Sequence, residues 1–132
     1  MTGNKQLLQH VFAELAAGNA EPFTDILSDQ VRWTITGTTA WSRTFVGKTA
    51  VLAELLTPLR ARIAGRIQVT ADRFIAEGDF VVVEARGRST TRQGKPYNNR
   101  YCWIYRFVNG EVMELTEYLD TALVADALGD PA

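Results

Sequence analysis

The sequence has few of the residues on which several functional classes depend. Its 132 residues include one cysteine, Cys102, and one histidine, His10. A single cysteine excludes an intrachain disulfide, and so few histidine and cysteine ligands argue against a metal site. No apolar run approaches the roughly 20 residues that a membrane-spanning helix needs. We therefore expect no metal, no cofactor and no association with a membrane.

Neither sign of charge predominates in the chain. Lysine and arginine number 14 and aspartate and glutamate 15, which gives a net charge of −1. This balance offers no basic surface, so we expect no nucleic-acid partner. The N-terminal stretch lacks the layout of a signal peptide, which predicts a cytoplasmic protein. With 46% apolar residues, the length and composition predict one globular domain over residues 1–132.

The hydrophobic spacing predicts helices first and strands afterwards. Helices are predicted over residues 5–17, 21–28 and 48–64, the last interrupted near Pro58, with a strand at 31–36 and a loop at 37–45. Four strands are predicted at 66–76, 80–90, 98–108 and 111–119. Asp120 or Thr121 can cap a last helix that extends to Leu128. The order predicts an α+β domain with a mostly antiparallel sheet.

The turn at Asn109-Gly110 decides which face of the sheet carries Glu117. A two-residue turn pairs Val108 with Glu111 and puts Glu117 on the face opposite to the aromatic side chains of the preceding strand. A three-residue loop with glycine in a bulge pairs Phe107 with Glu111 and puts Glu117 on the aromatic face. Because a slip of one residue exchanges the faces, segregation of the apolar side chains favours the second geometry.

In this register Glu117 lies among aromatic side chains. A buried carboxylate without partners is costly, so we expect Glu117 to have partners, a raised pKa or a water-filled cavity beside it. A carboxyl group in such a place can act as a catalytic acid or base. The pocket that it would share is predicted to bind a hydrophobic small molecule. The aromatic residues that either line this pocket or fill it are Trp33, Trp41, Tyr101, Trp103 and Tyr105; for Trp33 and Trp103 we favour lining. Trp41, on its loop, either covers the pocket or contributes to a dimer contact.

The opposite face of the last strands carries a second group of large side chains. Ile104, Val112 and Tyr118 fall on it in the preferred register. An apolar patch of this size is rarely left exposed to water. We therefore predict a homodimer that buries this face.

The element order and the motifs of the last strands resemble a known family. Residues 97–107 read YxxxYxWxYxF, residues 117–121 read EYLDT, and Val46-Gly47-Lys48 opens the third helix. These features are similar to the SnoaL-like branch of the nuclear-transport-factor-2-like superfamily. Its relatives include ketosteroid isomerase, limonene epoxide hydrolase, scytalone dehydratase and polyketide cyclases. The resemblance implies a cone-shaped fold with an apolar pocket, which often dimerises through the convex face of its sheet.

The resemblance also implies which catalytic residues are replaced. Val11, Ile35 and Trp103 occupy the positions of the three catalytic residues of ketosteroid isomerase, so that chemistry is not inherited. The Asp-Arg-Asp network of limonene epoxide hydrolase corresponds here to charge-exchanged residues. Glu84 takes the arginine position, whereas Arg86 and Glu117 take the aspartate positions.

This correspondence implies a polar network of Glu84, Arg86 and Glu117 on the pocket floor, in which one carboxylate acts as acid or base. In the alternative, Glu84 and Arg86 form a structural ion pair or are solvated on the convex face. The valines at 81–83 put apolar side chains on both faces of the strand. The pattern therefore does not show whether Glu84 and Arg86 face the pocket or the convex side.

Two classes of function are therefore open. The first is a cofactor-free acid/base enzyme of the isomerase, cyclase, dehydratase or epoxide-hydrolase type, acting on a polycyclic or polyketide-like substrate. The second is a non-catalytic ligand-binding or accessory dimeric module. Glu117, together with Arg86 if it faces the pocket, favours the first, and the missing isomerase residues favour the second.

Overall fold

The computed structural model describes residues 3–131 as a run of helices and strands. The helices are α1 Asn4–Ala16, α2 Glu21–Asp25, α3 Lys48–Ala50, α4 Thr57–Arg62 and α5 Thr121–Leu128, and a π-helical segment, Val51–Leu56, joins α3 to α4. The strands are β1 Leu27–Ile35, β2 Thr44–Val46, β3 Ile63–Glu77, β4 Phe80–Thr91, β5 Arg100–Val108 and β6 Glu111–Leu119. Met1, Thr2 and Ala132, which the predicted domain of residues 1–132 includes, lie outside the described residues.

The strands form one curved mixed sheet in the order β2-β1-β6-β5-β4-β3. All neighbouring strands are antiparallel except β1 and β6, which are parallel. The predicted α+β class is confirmed. The predicted loop at 37–45 is partly wrong, because β2 begins within it and pairs with β1 through Trp33 and Phe45. The second helix also ends earlier than predicted, and β1 begins at Leu27.

The hairpin between β5 and β6 combines features of both turn geometries. Val108 pairs with Glu111 around Asn109-Gly110, whose φ angles of 50° and 78° fit a tight two-residue turn. The predicted pairing of Phe107 with Glu111 is therefore wrong. The register then shifts between Arg106 and Phe107 through a bulge on β6, so that Trp103 pairs with Glu117. The prediction placed one extra residue in the turn, whereas the structure has it in the bulge on β6. Either position puts Glu117 on the aromatic face, where it was predicted to lie.

The third helical region is continuous, contrary to the predicted interruption near Pro58. Pro58 lies in the first turn of α4, immediately after the π-helical segment. A proline removes one backbone N–H from the helical ladder. Nearby, the Thr57 hydroxyl donates a 2.8 Å hydrogen bond to the Leu52 carbonyl. The chain therefore passes the proline without leaving the helical path.

The sheet has an inner face, which carries Trp33, Trp103 and Glu117, and an outer face, which carries Glu84, Arg86 and Tyr118. The core lies against the inner face, where α1 contributes Leu8, Val11 and Phe12, all buried. Asp120 caps α5 by accepting a 3.2 Å hydrogen bond from the Leu123 N–H, as predicted.

Val112 does not lie where the sequence placed it. It is fully buried and pairs with Phe107, so it belongs to the inner face and not to the predicted outer apolar patch. The cause is the bulge on β6, which begins after Val112 and leaves this residue in the register of the tight turn. Within residues 3–131, no helix is long and apolar enough to span a membrane.

Candidate functional site

The inner face of the sheet and the helices line a cavity of about 460 Å³. This volume lies in the range of pockets that hold small-molecule ligands. The walls are mainly aliphatic and aromatic, and they include Phe12, Phe23, Trp41, Leu55 and Val124. A ligand inside would therefore be surrounded chiefly by apolar surface.

Glu117 is the only acidic residue that lines the cavity within the described chain. It lies on β6 between Ile35 of β1 and Trp103 of β5, and its side chain is 7% exposed. The indole N–H of Trp33 donates a 2.9 Å hydrogen bond to its Oε1. The carboxyl group is therefore held on the floor of an apolar cavity by one defined donor.

Burial raises the pKa of Glu117 from its ordinary value of 4.5 to about 7. The indole N–H groups of Trp103 and Trp33 act in the opposite direction, because a donor stabilises the carboxylate and lowers its pKa. The Trp103 nitrogen is buried and forms no hydrogen bond of normal geometry among residues 3–131, although its N–H lies close enough to the carboxyl group to lower the pKa. Glu117 thus has one donor in place and a second next to it.

Three tyrosines near Glu117 remain neutral. Burial raises the pKa of Tyr97 to about 12 and raises those of Tyr101 and Tyr105 well above their ordinary value. The negative charge of Glu117 adds to each of these rises. The tyrosines can therefore donate hydrogen bonds, while Glu117 is the group whose charge changes near neutral pH.

Asn99 fixes the Tyr97 end of the cavity. It is 1% exposed, and its Nδ2 donates to the Tyr97 hydroxyl at 3.3 Å and to the Asp120 carbonyl at 3.2 Å. Its Oδ1 accepts from the backbone N–H of Asp120 at 2.9 Å and of Arg100 at 2.7 Å. One amide thereby joins the start of β5, the end of β6 and the hydroxyl of a cavity residue.

The aromatic walls are held by ring contacts. Tyr101 stacks on Trp103 with ring centroids 4.4 Å apart and an angle of 11° between the planes. Phe12 approaches Trp103 from α1 at 5.7 Å, and Phe23 meets Trp33 edge to face at 5.8 Å. Such pairs stabilise the wall beyond the burial of their area.

Trp41 belongs to the cavity wall. It is 3% exposed, and its indole N–H donates a 2.7 Å hydrogen bond to the carbonyl of Gly129, just after α5. Its burial in the chain removes the dimer-contact alternative. All five aromatic residues predicted to line the pocket do so: Trp33, Trp41, Tyr101, Trp103 and Tyr105.

The predicted network of Glu84, Arg86 and Glu117 is wrong. Glu84 and Arg86 lie on the outer face, because β4 turns the intervening Val83 and Ala85 towards the core. Glu84 pairs with Arg73 at 3.2 Å, and Arg86 pairs with Asp72 at 2.8 Å. These are exposed ion pairs between neighbouring strands. Of the three residues of the predicted network, only Glu117 lines the cavity.

Five residues of the site were not predicted from the sequence. Tyr97, Arg60, Arg66 and Arg92 line the cavity, and Asn99 holds the Tyr97 hydroxyl. Tyr97 and Asn99 could have been found, since both continue the alternation of Tyr101 and Trp103 towards the start of the strand. The arginines come from three separate segments and share no local pattern. No group of three histidine, cysteine or acidic residues able to hold a metal ion occurs in the described part of the chain.

Comparison with solved structures shows the nuclear-transport-factor-2-like fold. A protein of unknown function from Burkholderia pseudomallei is 22% identical, with 98% of this chain and 99% of the other covered and a TM-score of 0.82. A putative SnoaL-like polyketide cyclase from Jannaschia is 17% identical, with coverages of 98% and 93% and a TM-score of 0.75. TerC, co-crystallised with polyporic acid, is 17% identical, with coverages of 95% and 97% and a TM-score of 0.77.

A search of curated proteins finds no significant match. The family model of the SnoaL-like domain matches residues 8–115, which include most of the helices and strands that build the cavity. The chain belongs to the SnoaL-like family.

Proposed function

We propose that the protein transfers a proton to or from a hydrophobic, ring-containing small molecule, with Glu117 as the acid or base. The observation that carries this proposal is a buried carboxyl group with a pKa of about 7, the one acidic group that the described residues contribute to a mainly apolar cavity. Near neutral pH such a group populates both its charged and its neutral form. A general acid or base is most effective when its pKa lies near the working pH.

The walls support a flat hydrophobic ligand. Stacked and edge-on rings, among them Trp33, Tyr101 and Trp103, present apolar faces over much of the cavity. Membership in the SnoaL-like family and the likeness to a putative polyketide cyclase agree with a ligand of this kind. TerC, a protein of similar fold, was co-crystallised with a small organic molecule, polyporic acid.

The geometry suggests how the proton would move. In its charged form, Glu117 would take a proton from a C–H or O–H group of the ligand and become neutral, while the Trp33 N–H keeps the carboxyl group oriented. The neutral hydroxyl of Tyr97, which interacts with that of Tyr101, is available as a donor to negative charge that develops on a ligand oxygen. Return of the proton to another atom would complete an isomerisation, a cyclisation or a dehydration.

The test is exchange of a carbon-bound proton in heavy water, followed by NMR on 2-tetralone, a hydrophobic bicyclic ketone. We expect the wild type to accelerate incorporation of deuterium beside the carbonyl, and the Glu117→Gln variant to return it to the background rate. Glu84→Gln is the matched control, because Glu84 is a carboxylate on the outer face, paired with Arg73. It should leave the acceleration unchanged.

Two results would contradict the proposal. In the first, Glu117→Gln exchanges protons as fast as the wild type. In the second, the wild type binds 2-tetralone but leaves exchange at the background rate, which favours the non-catalytic binding module.

A further inference from the structure

The charged residues that line the cavity are distributed unevenly. They are Arg60, Arg66, Arg92 and Glu117. Glu117 is buried, whereas the three arginines are exposed and so mark the place where the cavity meets solvent. We call this place the mouth, defined by Arg60, Arg66 and Arg92. The whole chain has a net charge of −1, so three cations around one opening are a local excess of positive charge.

The fold brings the three arginines together from separate segments. Arg60 lies in α4, Arg66 in β3, and Arg92 directly after β4. The Arg92 N–H donates a 2.9 Å hydrogen bond to the carbonyl of Arg62, and Ile63 pairs with Thr91. The end of α4 and the end of β4 are therefore joined by backbone contacts next to the mouth.

A bulge at the start of β3 gives Arg66 its position. The register between β3 and β4 shifts between Ala64 and Gln68, and Gly65 within this stretch has φ of +77°. Bulges redirect side chains and occur next to active sites. Here both Arg66 and its neighbour Ile67 line the cavity, which regular alternation along a strand would not allow.

The end of the Arg66 side chain crosses the mouth to the residues after α1. Its guanidinium lies against Gly18, where an added Cβ would fall 1.5 Å from Nη1. Gly18 also has φ of +94°, a conformation that suits glycine. A side chain at position 18 would displace the guanidinium, so the glycine leaves room for it over the mouth.

None of the three mouth arginines forms an ion pair with an acidic side chain within residues 3–131. On the outer face, by contrast, Arg73, Arg86 and Arg106 pair with Glu84, Asp72 and Glu114. The guanidinium groups at the mouth therefore keep their donors available. A planar guanidinium matches the geometry of a carboxylate or a similar oxyanion and can bind it through two parallel hydrogen bonds.

We propose that the cavity binds an amphipathic organic anion, whose flat apolar body lies against the aromatic walls and whose carboxylate or other oxyanion lies among Arg60, Arg66 and Arg92. This inference rests on the proposed function, because it names the class of molecule that the same site would take. The orientation follows from the charges. The arginines at the mouth attract an anionic group of the ligand, and the carboxylate of Glu117 on the floor repels it. The anionic group therefore lies at the mouth.

The experiment compares two probes by calorimetric titration: 2-naphthoate, and its neutral methyl ester, methyl 2-naphthoate. We expect the anion to bind about tenfold more tightly than the ester, a ratio that fits three exposed charge contacts. In the variant with Arg60→Gln, Arg66→Gln and Arg92→Gln, the affinity for the anion should fall to that for the ester, and the affinity for the ester should stay the same.

A matched control removes the same charge elsewhere. Arg32, Arg88 and Arg100 are exposed and do not line the cavity. Changing these three to glutamine should preserve the preference for the anion. Equal affinity of the wild type for both probes, or a preference that survives the loss of the mouth arginines, would overturn the inference. If neither probe binds, the cavity is not a ligand site of this kind and the inference also fails.

The Glu117→Gln variant separates this inference from the proposed function. The preference for naphthoate is an equilibrium property of the mouth, so it should persist in the variant although proton exchange is lost. A preference for the anion without exchange in the wild type would remove the proposed function and keep the binding class. Proton exchange on 2-tetralone without a preference for naphthoate over its ester would keep the proposed function and remove the inferred binding of an anion.

Discussion

The indole N–H of Trp33 on β1 and the Oε1 of Glu117 on β6 form a 2.9 Å hydrogen bond between residues that are 84 positions apart in the chain. The two strands are parallel neighbours, with Trp33 opposite Leu115 and Ile35 opposite Glu117. The bond therefore runs diagonally across the inner face. It opposes the effect of burial, because a donor favours the carboxylate whereas an apolar site favours the neutral acid. The charge state of Glu117 depends on this balance.

Replacing Trp33 with phenylalanine should raise the pKa of Glu117 above its value of about 7. The substitution keeps an aromatic wall and removes the 2.9 Å hydrogen bond that the carboxyl group accepts from the Trp33 indole. The measurement is a pH titration of the carboxyl carbon by NMR in protein labelled at glutamate, with the resonance assigned from its absence in Glu117→Gln.

Trp41→Phe is the control for this titration. The Trp41 indole donates to the carbonyl of Gly129 and not to Glu117, so its loss should leave the pKa of Glu117 close to that of the wild type. A pKa that does not rise in Trp33→Phe would show that the hydrogen bond does not set the charge state of the site.

The burial of Glu117 should also make stability depend on pH. Its folded-state pKa of about 7 lies above the ordinary value of 4.5, so the folded protein holds the proton more tightly than the unfolded chain. The contribution is fully present below about pH 4.5 and is lost as the pH rises to about 7, in total roughly 3 kcal/mol of unfolding free energy. Urea unfolding near pH 4.5 and near pH 8 measures it.

Glu117→Gln should not show this loss, so the variant should gain stability relative to the wild type as the pH rises. Glu84→Gln, which changes an exposed carboxylate, should follow the wild type. A difference between wild type and Glu117→Gln that is the same at both pH values would contradict the buried, titrating carboxyl group.

The face of Glu117 could be predicted although the turn was predicted incorrectly. Side chains alternate with a period of two, so one extra residue anywhere between Phe107 and Glu117 exchanges the faces. The prediction placed this residue in the turn, and the structure places it in the bulge on β6. Both positions give the same result beyond the bulge. Val112 precedes the bulge and was assigned to the wrong face for that reason.

Glu84 and Arg86 show what sequence alone could not decide. Val81, Val82 and Val83 give their strand no polar alternation, so neither face was marked as inner. The partners of both residues, Arg73 and Asp72, lie on β3, which pairs with β4 across a further bulge. The resemblance to limonene epoxide hydrolase placed charged residues at corresponding positions of the strand. It did not predict that Glu84 and Arg86 lie on the face opposite to Glu117.

The mouth of the cavity was equally beyond prediction. The position of Arg66 depends on the bulge at Gly65 and on the space above Gly18, and that of Arg92 depends on a backbone contact with Arg62. None of these leaves a periodic signal. Alternation identifies the aromatic wall because the wall belongs to regular strands, whereas the mouth is built where strands and helices end.

Asn99→Ala should lower the free energy of unfolding by about 2–3 kcal/mol, since it leaves the buried hydroxyl of Tyr97 and two partly buried backbone groups without their partner. The backbone N–H and carbonyl of Asp120 and the hydroxyl of Tyr97 all contact this amide. The variant should also weaken binding of 2-tetralone, because Tyr97 loses its support. Urea unfolding and calorimetric titration provide the two readouts.

Asn98→Ala is the matched control, one residue away on the same segment. Asn98 is exposed, and its Oδ1 accepts one hydrogen bond, from the Ser89 N–H at 3.2 Å. Its loss should cost less than about 1 kcal/mol and should leave ligand binding unchanged. Equal effects of the two substitutions would contradict the supporting role of Asn99.

The outer face leads to the last prediction, which concerns self-association. We propose that a second copy of the chain covers this face. Ile75, Phe80 and Tyr118 are between 45% and 51% exposed on it. The ion pairs between them, such as Arg73–Glu84 and Arg106–Glu114, are neutral as pairs, so two copies of the face would meet without net repulsion. Sedimentation of the wild type at micromolar concentration should therefore show a dimer.

Tyr118→Asp places a charge in this face twice in a symmetric dimer, and it should weaken association by roughly tenfold or more. The control is Ala125→Asp, which adds the same charge at an exposed position of α5, away from the outer face. It should leave the dimer intact. A wild type that sediments as a monomer, or two aspartate variants that dissociate equally, would show that the outer face is not the surface through which copies of the chain associate.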